Sequence, residues 1–222
     1  EDVGVQEICQ EAGVKKGSFY HFFPSKRELA LASLDQSHDH ARDNIFNTSF
    51  ADDLPPLERI HRFFDALYRF HRDIKHNTGF VLGCPFGNIG SEMSAQDEAL
   101  RSKVDHILSS CEQPFARALQ EAVARGDLPD IDVEASACAL FAYAEGVMLY
   151  AKTRTDPELI RDLGKRALNL LTPAAPGQAT RLKTGEHHEQ RQCQPCRPTR
   201  RNSGKLHVLA TGRGRKDYRR QF

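Results

Sequence analysis

The chain has 222 residues, with 31 Lys and Arg against 30 Asp and Glu, 39% apolar residues and six cysteines. That length and apolar content are enough to bury a core in one or two domains. The net charge of +1 hides a split: residues 173–222 carry 12 basic against 3 acidic side chains, leaving 19 against 27 for residues 1–172. No secretory signal is visible, and the cysteines lack small-domain spacing, so reduced thiols and a cytoplasmic location are expected.

The first predicted helix runs from Val5 to Glu11, where Val5, Ile8 and Ala12 recur at three- and four-residue spacing. Gly13 suits the left-handed turn that ends a helix, and Val14 reads as a small apolar plug between two steeply packed helices. A second helix is predicted from about Lys16 to Phe22, with Phe19 and Phe23 inward. Pro24 drives Phe23 out of helical conformation, and Ser25 with Glu28 forms an S-x-x-E cap for the next helix. This is the pattern of a helix-turn-helix.

The outward side chains of that second helix carry DNA-binding chemistry. Lys15, Lys16 and Lys26 supply charge for phosphates. Ser18, Tyr20 and His21 carry donors for phosphates or base edges, and Gly17 lets backbone approach a groove.

The stretch AGVKKGSFYHFFPSKREL resembles the signature of TetR-family transcriptional regulators, and the match extends from Val5 to Leu34. The resemblance implies that Gln6, Lys16, Gly17, Ser18, Tyr20, His21 and Lys26 touch double-stranded operator DNA. It also implies a homodimer and a small-molecule effector. The family places a further helix, and part of the next, before this point. The chain as given, beginning at Glu1, therefore reads as truncated at its N-terminus, which leaves a helical sensor dimer without DNA binding as an alternative.

From Lys26 to Leu171 the expected class is all-α, a helix-turn-helix head on a helical body. Lys26 to about Phe46 reads as a connector. A helix opened by Pro55 and Pro56 carries an inward stripe of Leu57, Ile60, Phe63, Phe64, Leu67, Tyr68 and His71. Gly79 to Gly90 reads as a glycine-rich interruption, followed by a short turn near Ser91 to Met93. A long helix then carries Leu100, Val104, Ile107, Cys111, Phe115, Leu119 and Val123 at helical period, with Pro114 expected to bend it.

Two more helices are predicted, from about Asp132 to Thr153 and from Asp156 and Pro157 to about Leu171. Ala135 to Ala151 is the longest apolar stretch, but Glu145 and its many alanines make it a packing helix rather than a membrane span. Ala135, Ala139, Ala142 and Gly146 put small residues on one face, with Phe141, Leu149 and Tyr150 nearby. Leu159, Leu163, Ala167 and Leu170 line the last helix. Two such helices from each subunit form a four-helix dimer seam, which is where the resembling family dimerises; a place in the monomer core is the alternative.

Effector candidates are the inward aromatics Phe63, Tyr68, Phe115 and Tyr143 with His71, all of which also suit an ordinary core. Cys84 joins them because Gly83-Cys84, Asn88 and Glu92 are similar to a GC-x-x-x-N-x-x-x-E stretch of TetR-like regulators, some of which respond to electrophiles. A thiol beside a helix N-terminus is expected to have a lowered pKa, although a small buried hydrophobe fits too. The domains expected are a head with connector over 1–46, a body over 47–172 and a basic, disordered tail over 173–222. In the tail, Cys193 and Cys196 with His187 and His188 form too weak a pattern for zinc, and no metal or cofactor is expected. Nucleophile-elbow, zinc-protease and nucleotide-loop motifs are missing, so a small all-α enzyme is a distant third reading.

Overall fold

The computed structural model describes residues 3–171, which are predominantly helical and contain no strand. The expectations for residues 173–222, including Cys193, Cys196, His187 and His188, lie outside the described residues. Helix α1 spans Val5–Ala12 and α2 spans Lys16–Phe22. Gly13 ends α1 in the left-handed conformation (φ 67°), its N–H reaching Cys9 and Gln10 carbonyls. At the end of α2, Phe23 is extended as the following proline requires. Ser25 Oγ then accepts from Glu28 N at 3.2 Å and opens α3, Lys26–Ala41.

The connector continues past α3 through a π-helical turn, Arg42–Phe46, into the short α4, Asn47–Ser49. There Phe46 and Phe50 turn into the body and meet Phe63, while Phe50 also packs edge-on against Phe115. The body consists of α5 (Pro56–Thr78), α6 (Pro85–Met93), α7 (Glu98–Arg125), α8 (Val133–Arg154) and α9 (Glu158–Gly164), with a 3-10 turn at Ala167–Leu170. The predicted stripes are its core. Ile60, Phe63, Phe64, Leu67 and His71 of α5 are buried, with Leu100, Val104, Ile107, Cys111, Phe115 and Leu119 of α7.

Four expectations need correction. The Gly79 to Gly90 interruption is non-helical only as far as Cys84, because α6 starts at Pro85 and takes in Ser91 to Met93. Cys84 caps it, accepting from Gly87 N at 3.4 Å, and a proline in the first turn needs no N–H partner. The last predicted helix stops at Gly164 and finishes as the 3-10 turn. A Cβ at Gly164 would fall 2.5 Å from Phe64 Cβ, so glycine sets how closely α9 approaches α5. Phe141 belongs to the core, packed against Phe115, rather than to an outer seam. Val14 is 47% exposed; its N–H closes the turn onto the Cys9 carbonyl, but its side chain is no plug.

His71 lies deep in this core at 1% exposure, with no partner for Nδ1, and burial pushes its imidazole down to about 4. The folded chain keeps the ring neutral, whereas the unfolded chain protonates it near 6.5. This contribution to stability is therefore complete above about pH 6.5 and declines as pH falls towards about 4. The loss expected over that window is roughly 3 kcal/mol. Urea denaturation across it should show a shallower decline in His71→Phe; an unchanged decline would assign the acid sensitivity to other groups.

Candidate functional site

The head buries Phe19 and Cys9 and turns the rest of α2 outward. Gln6, Lys15, Lys16, Gly17, Ser18, Tyr20, His21 and Lys26 are all exposed. Phe19 anchors this surface from below, edge-on to Tyr20 at 5.2 Å and tilted against Phe23 at 5.9 Å. Lys16 Nζ lies 6.0 Å from the Tyr20 ring centre, so an aromatic face and a positive charge share one side of the helix. The eight candidates, from α1 to the start of α3, are thus all open to solvent.

Gly17 is informative because the fold does not need it. Its φ is not positive, and a Cβ added there meets nothing within 4 Å. Alanine should therefore stabilise α2 by up to about 1 kcal/mol, since glycine costs that much in a helix. If α2 lies against a phosphate backbone, the same substitution should weaken DNA binding while raising the melting temperature. Stabilisation with undiminished binding would remove Gly17 from the contact surface.

The head is tied to the body through α3. Arg27 Nε donates to Asp97 Oδ2 at 2.6 Å. Asp97 is also the cap of α7, accepting from Ala99 N and Leu100 N, and these bonds hold its carboxyl below the usual carboxylate range. Asp35 of α3 pairs with Lys103 of α7. Further along, His38 Nε2 meets Ser110 Oγ at 3.0 Å, and the His38 ring stands edge-on to Phe86 of α6. These side chains come from distant parts of the chain and carry no local motif, which is why pattern reading misses them.

The effector candidates do not converge. Phe63 and Phe115 are packed rings of the central cluster, and His71 is buried beside Phe70. Tyr68 sits at the α5–α9 contact, its hydroxyl donating to Glu158 at 2.8 Å with the Arg161 guanidinium 5.2 Å from its ring centre. Tyr143 donates to the Leu163 carbonyl at 3.1 Å and lines an apolar groove with Ala142, Gly146 and Tyr150. The lowered pKa expected for Cys84 is reversed. Its Sγ does accept from Gly87 N, but burial and the neighbouring Glu145 carboxylate dominate and push the thiol up. Cys84 is a buried thiol that caps a helix.

An open cleft lies instead between α6, α7 and α8, lined by Phe86, Gly87, Gly90, Val104, Leu108 and Glu145 among others, with a volume of about 400 Å³. Glu145 is the group that sequence reading passed over. Its one signal in the sequence is a lone carboxylate in an alanine-rich helix, which argues against a membrane span.

Comparison with known proteins identifies the frame that holds these features. Residues 1–33 match the family described as bacterial regulatory proteins, tetR family, and residues 56–166 match the tetracyclin repressor-like C-terminal domain. Transcriptional regulator AcuR of Cereibacter sphaeroides is 35% identical over 158 residues, 70% of each chain. The chain belongs to the TetR family. It is a DNA-binding transcriptional regulator. The HTH-type transcriptional repressor DhaR of a Mycobacterium species is 28% identical over 155 residues, 69% of this chain and 74% of its own. The crystal structure of regulatory protein TetR from Rhodobacter sphaeroides superposes with a TM-score of 0.66 at 32% identity, over 77% of this chain and 88% of that one. In this TetR-family regulator, no described helix is long and apolar enough to cross a membrane. No group of three metal-ligating side chains occurs among the described residues.

Proposed function

We propose that this regulator is an effector-responsive repressor that binds a palindromic operator as a homodimer and works in the cytoplasm, where that DNA lies. Residues 1–46 act as head and connector, and residues 47–172 as the sensing and dimerising body. The observation that carries this reading is the exposure of Gln6, Lys15, Lys16, Gly17, Ser18, Tyr20, His21 and Lys26 while Phe19 between them is buried. In this arrangement α2 enters the major groove, lysines meet phosphates, and Tyr20 and His21 reach towards base edges or sugar-phosphate oxygens.

Dimerisation is supported by the outer face of α8. Ala135, Ala139, Ala142 and Gly146 are exposed together with Leu149 and Tyr150, and Leu170 follows after α9. A Cβ at Gly146 meets nothing within 4 Å, leaving room for close approach by a second helix. A two-fold pair of heads then spans half-sites about 34 Å apart. Effector binding would shift the population towards a state in which α3, held through Arg27–Asp97 and His38–Phe86, sets the heads at a different separation.

The test is Gly146→Glu, which places a charge on this face without disturbing the monomer core. Sedimentation should show a dimer for the parent protein and a monomer for the variant, with operator affinity falling at least tenfold. A dimeric variant with unchanged affinity would move the seam elsewhere.

A further inference from the structure

The polar lining of the α6–α7–α8 cleft holds two carboxyls against one guanidinium, Arg101. Ser91 Oγ donates to the Asn88 carbonyl at 2.9 Å, and Ser94 Oγ donates to the Gly90 carbonyl, so both hydroxyls have their protons committed to their own helix. Arg101 is held by Glu98, Nε to Oε2 at 2.9 Å and Nη2 to Oε1 at 2.5 Å. Beside this neutralised guanidinium, the other polar groups lining the cleft are acceptors: the serine lone pairs, the Asp105 carboxylate and Glu145.

Glu145 is the inner member. Its neighbours are the thiol of Cys84, which hydrogen-bonds to it, and Cys111 of α7. Its Oε1 is buried without a hydrogen-bond partner. A Cβ at Gly87 would fall 2.6 Å from Oε2, so glycine is what lets the carboxyl seat against α6. The nearest lysine on its own helix, Lys152, is engaged by Asn88 Oδ1 at 2.7 Å. A buried carboxyl with a weak thiol donor and no cation is costly to ionise, and burial raises its pKa. Phe86, Val104 and Leu108 supply an apolar wall beside it.

We propose that this cleft is the effector site and that its ligand is a small organic cation, an ammonium group donating to Glu145 with its apolar body against Phe86 and Leu108. An anion would face the Asp105 and Glu145 carboxyls, with the charge of Arg101 already matched by Glu98, and a neutral molecule would bring no charge to offset ionisation of Glu145. The proposal rests on the body having a sensing role, and it names the chemistry sensed. Because Phe86 also contacts His38 of α3, occupancy reaches the connector directly.

Calorimetric titration of the DNA-free protein with benzylamine, benzyl alcohol and benzoate provides the test, since the three share one body and differ in the polar group. Benzylamine should bind about tenfold or more tightly than the alcohol, and benzoate most weakly. Its affinity should rise with pH as Glu145 gives up its proton. Glu145→Gln should erase both the preference and the pH dependence. Asp105→Asn, at the open rim, should keep the pH dependence and lose a few-fold in affinity, which guards against a misfolded Gln variant. Equal or tighter binding of alcohol or benzoate, a preference that survives in Glu145→Gln, or no benzylamine binding would each overturn the proposal. Failure to find an operator would count against the repressor reading but leave these titrations standing.

Discussion

Replacing Arg59 with methionine is expected to lower the unfolding free energy by about 3 kcal/mol. Arg59 is charged yet 6% exposed in the wall of α5. Its Nε donates to the Leu54 carbonyl at 2.8 Å, Nη2 to the Asp52 carbonyl at 3.2 Å, and Nη1 pairs with Glu121 of α7 at 2.8 Å. The guanidinium thus satisfies carbonyls of the segment that joins the connector to α5. Methionine has the right bulk but leaves those acceptors unpaired, and breaking a buried charged bond on one side is the costly case. Glu121 is partly exposed and also reaches Arg125, so Glu121→Gln should cost below about 1 kcal/mol. Equal losses from the two variants, measured by urea denaturation, would show the ion pair rather than the carbonyls to be the main contribution.

The second large effect is on DNA. Tyr20→Ala should reduce specific operator affinity by about 1–3 kcal/mol while sparing non-specific binding. Lys16→Ala should weaken both, and should lower the slope of log affinity against log salt by about 1, as expected when one phosphate contact is lost. Neither side chain is part of the core, and Tyr20 is 49% exposed, so thermal stability should stay within about 0.5 kcal/mol of the parent. A Tyr20 variant that binds operator normally would place base reading on other side chains.

Local rules made the head legible in the sequence. Gly13, Pro24 and Ser25 act on their immediate neighbours, and the turn, stop and cap they predict are all present. The stripes of α5 and α7 were legible for a similar reason, because apolar residues at helical period leave few alternatives for burial. Helix α6 was missed because Gly87 and Gly90 lower local helix propensity. What favours the helix is tertiary: Glu145 against Gly87 and Val104 against Gly90, contacts made by residues far along the chain.

The candidate site divides in the same way. The exposed patch of α2 follows from a single short motif, so its members could be named together. The effector candidates were chosen by aromatic character, and in the core aromatic character mostly serves packing, as Phe63 and Phe115 do. A cleft depends on where helices fail to fill space, and neither the glycines that open it nor the lone Glu145 form a pattern along the chain. Of the two readings of Cys84, burial favours the small hydrophobe: a helix N-terminus lowers a thiol pKa, but burial raises it further.

The central claim is that α2 reads DNA from a two-fold dimer, and selection from a randomised duplex library followed by salt titration of the winning sequence tests it most directly. An inverted repeat with half-site centres about one helical turn apart is the expected winner. Affinity for it should fall steeply between about 50 and about 200 mM salt, and Tyr20→Ala should lose the selected preference. Enrichment of a sequence without two-fold symmetry, or a preference untouched by Tyr20→Ala, would contradict the claim.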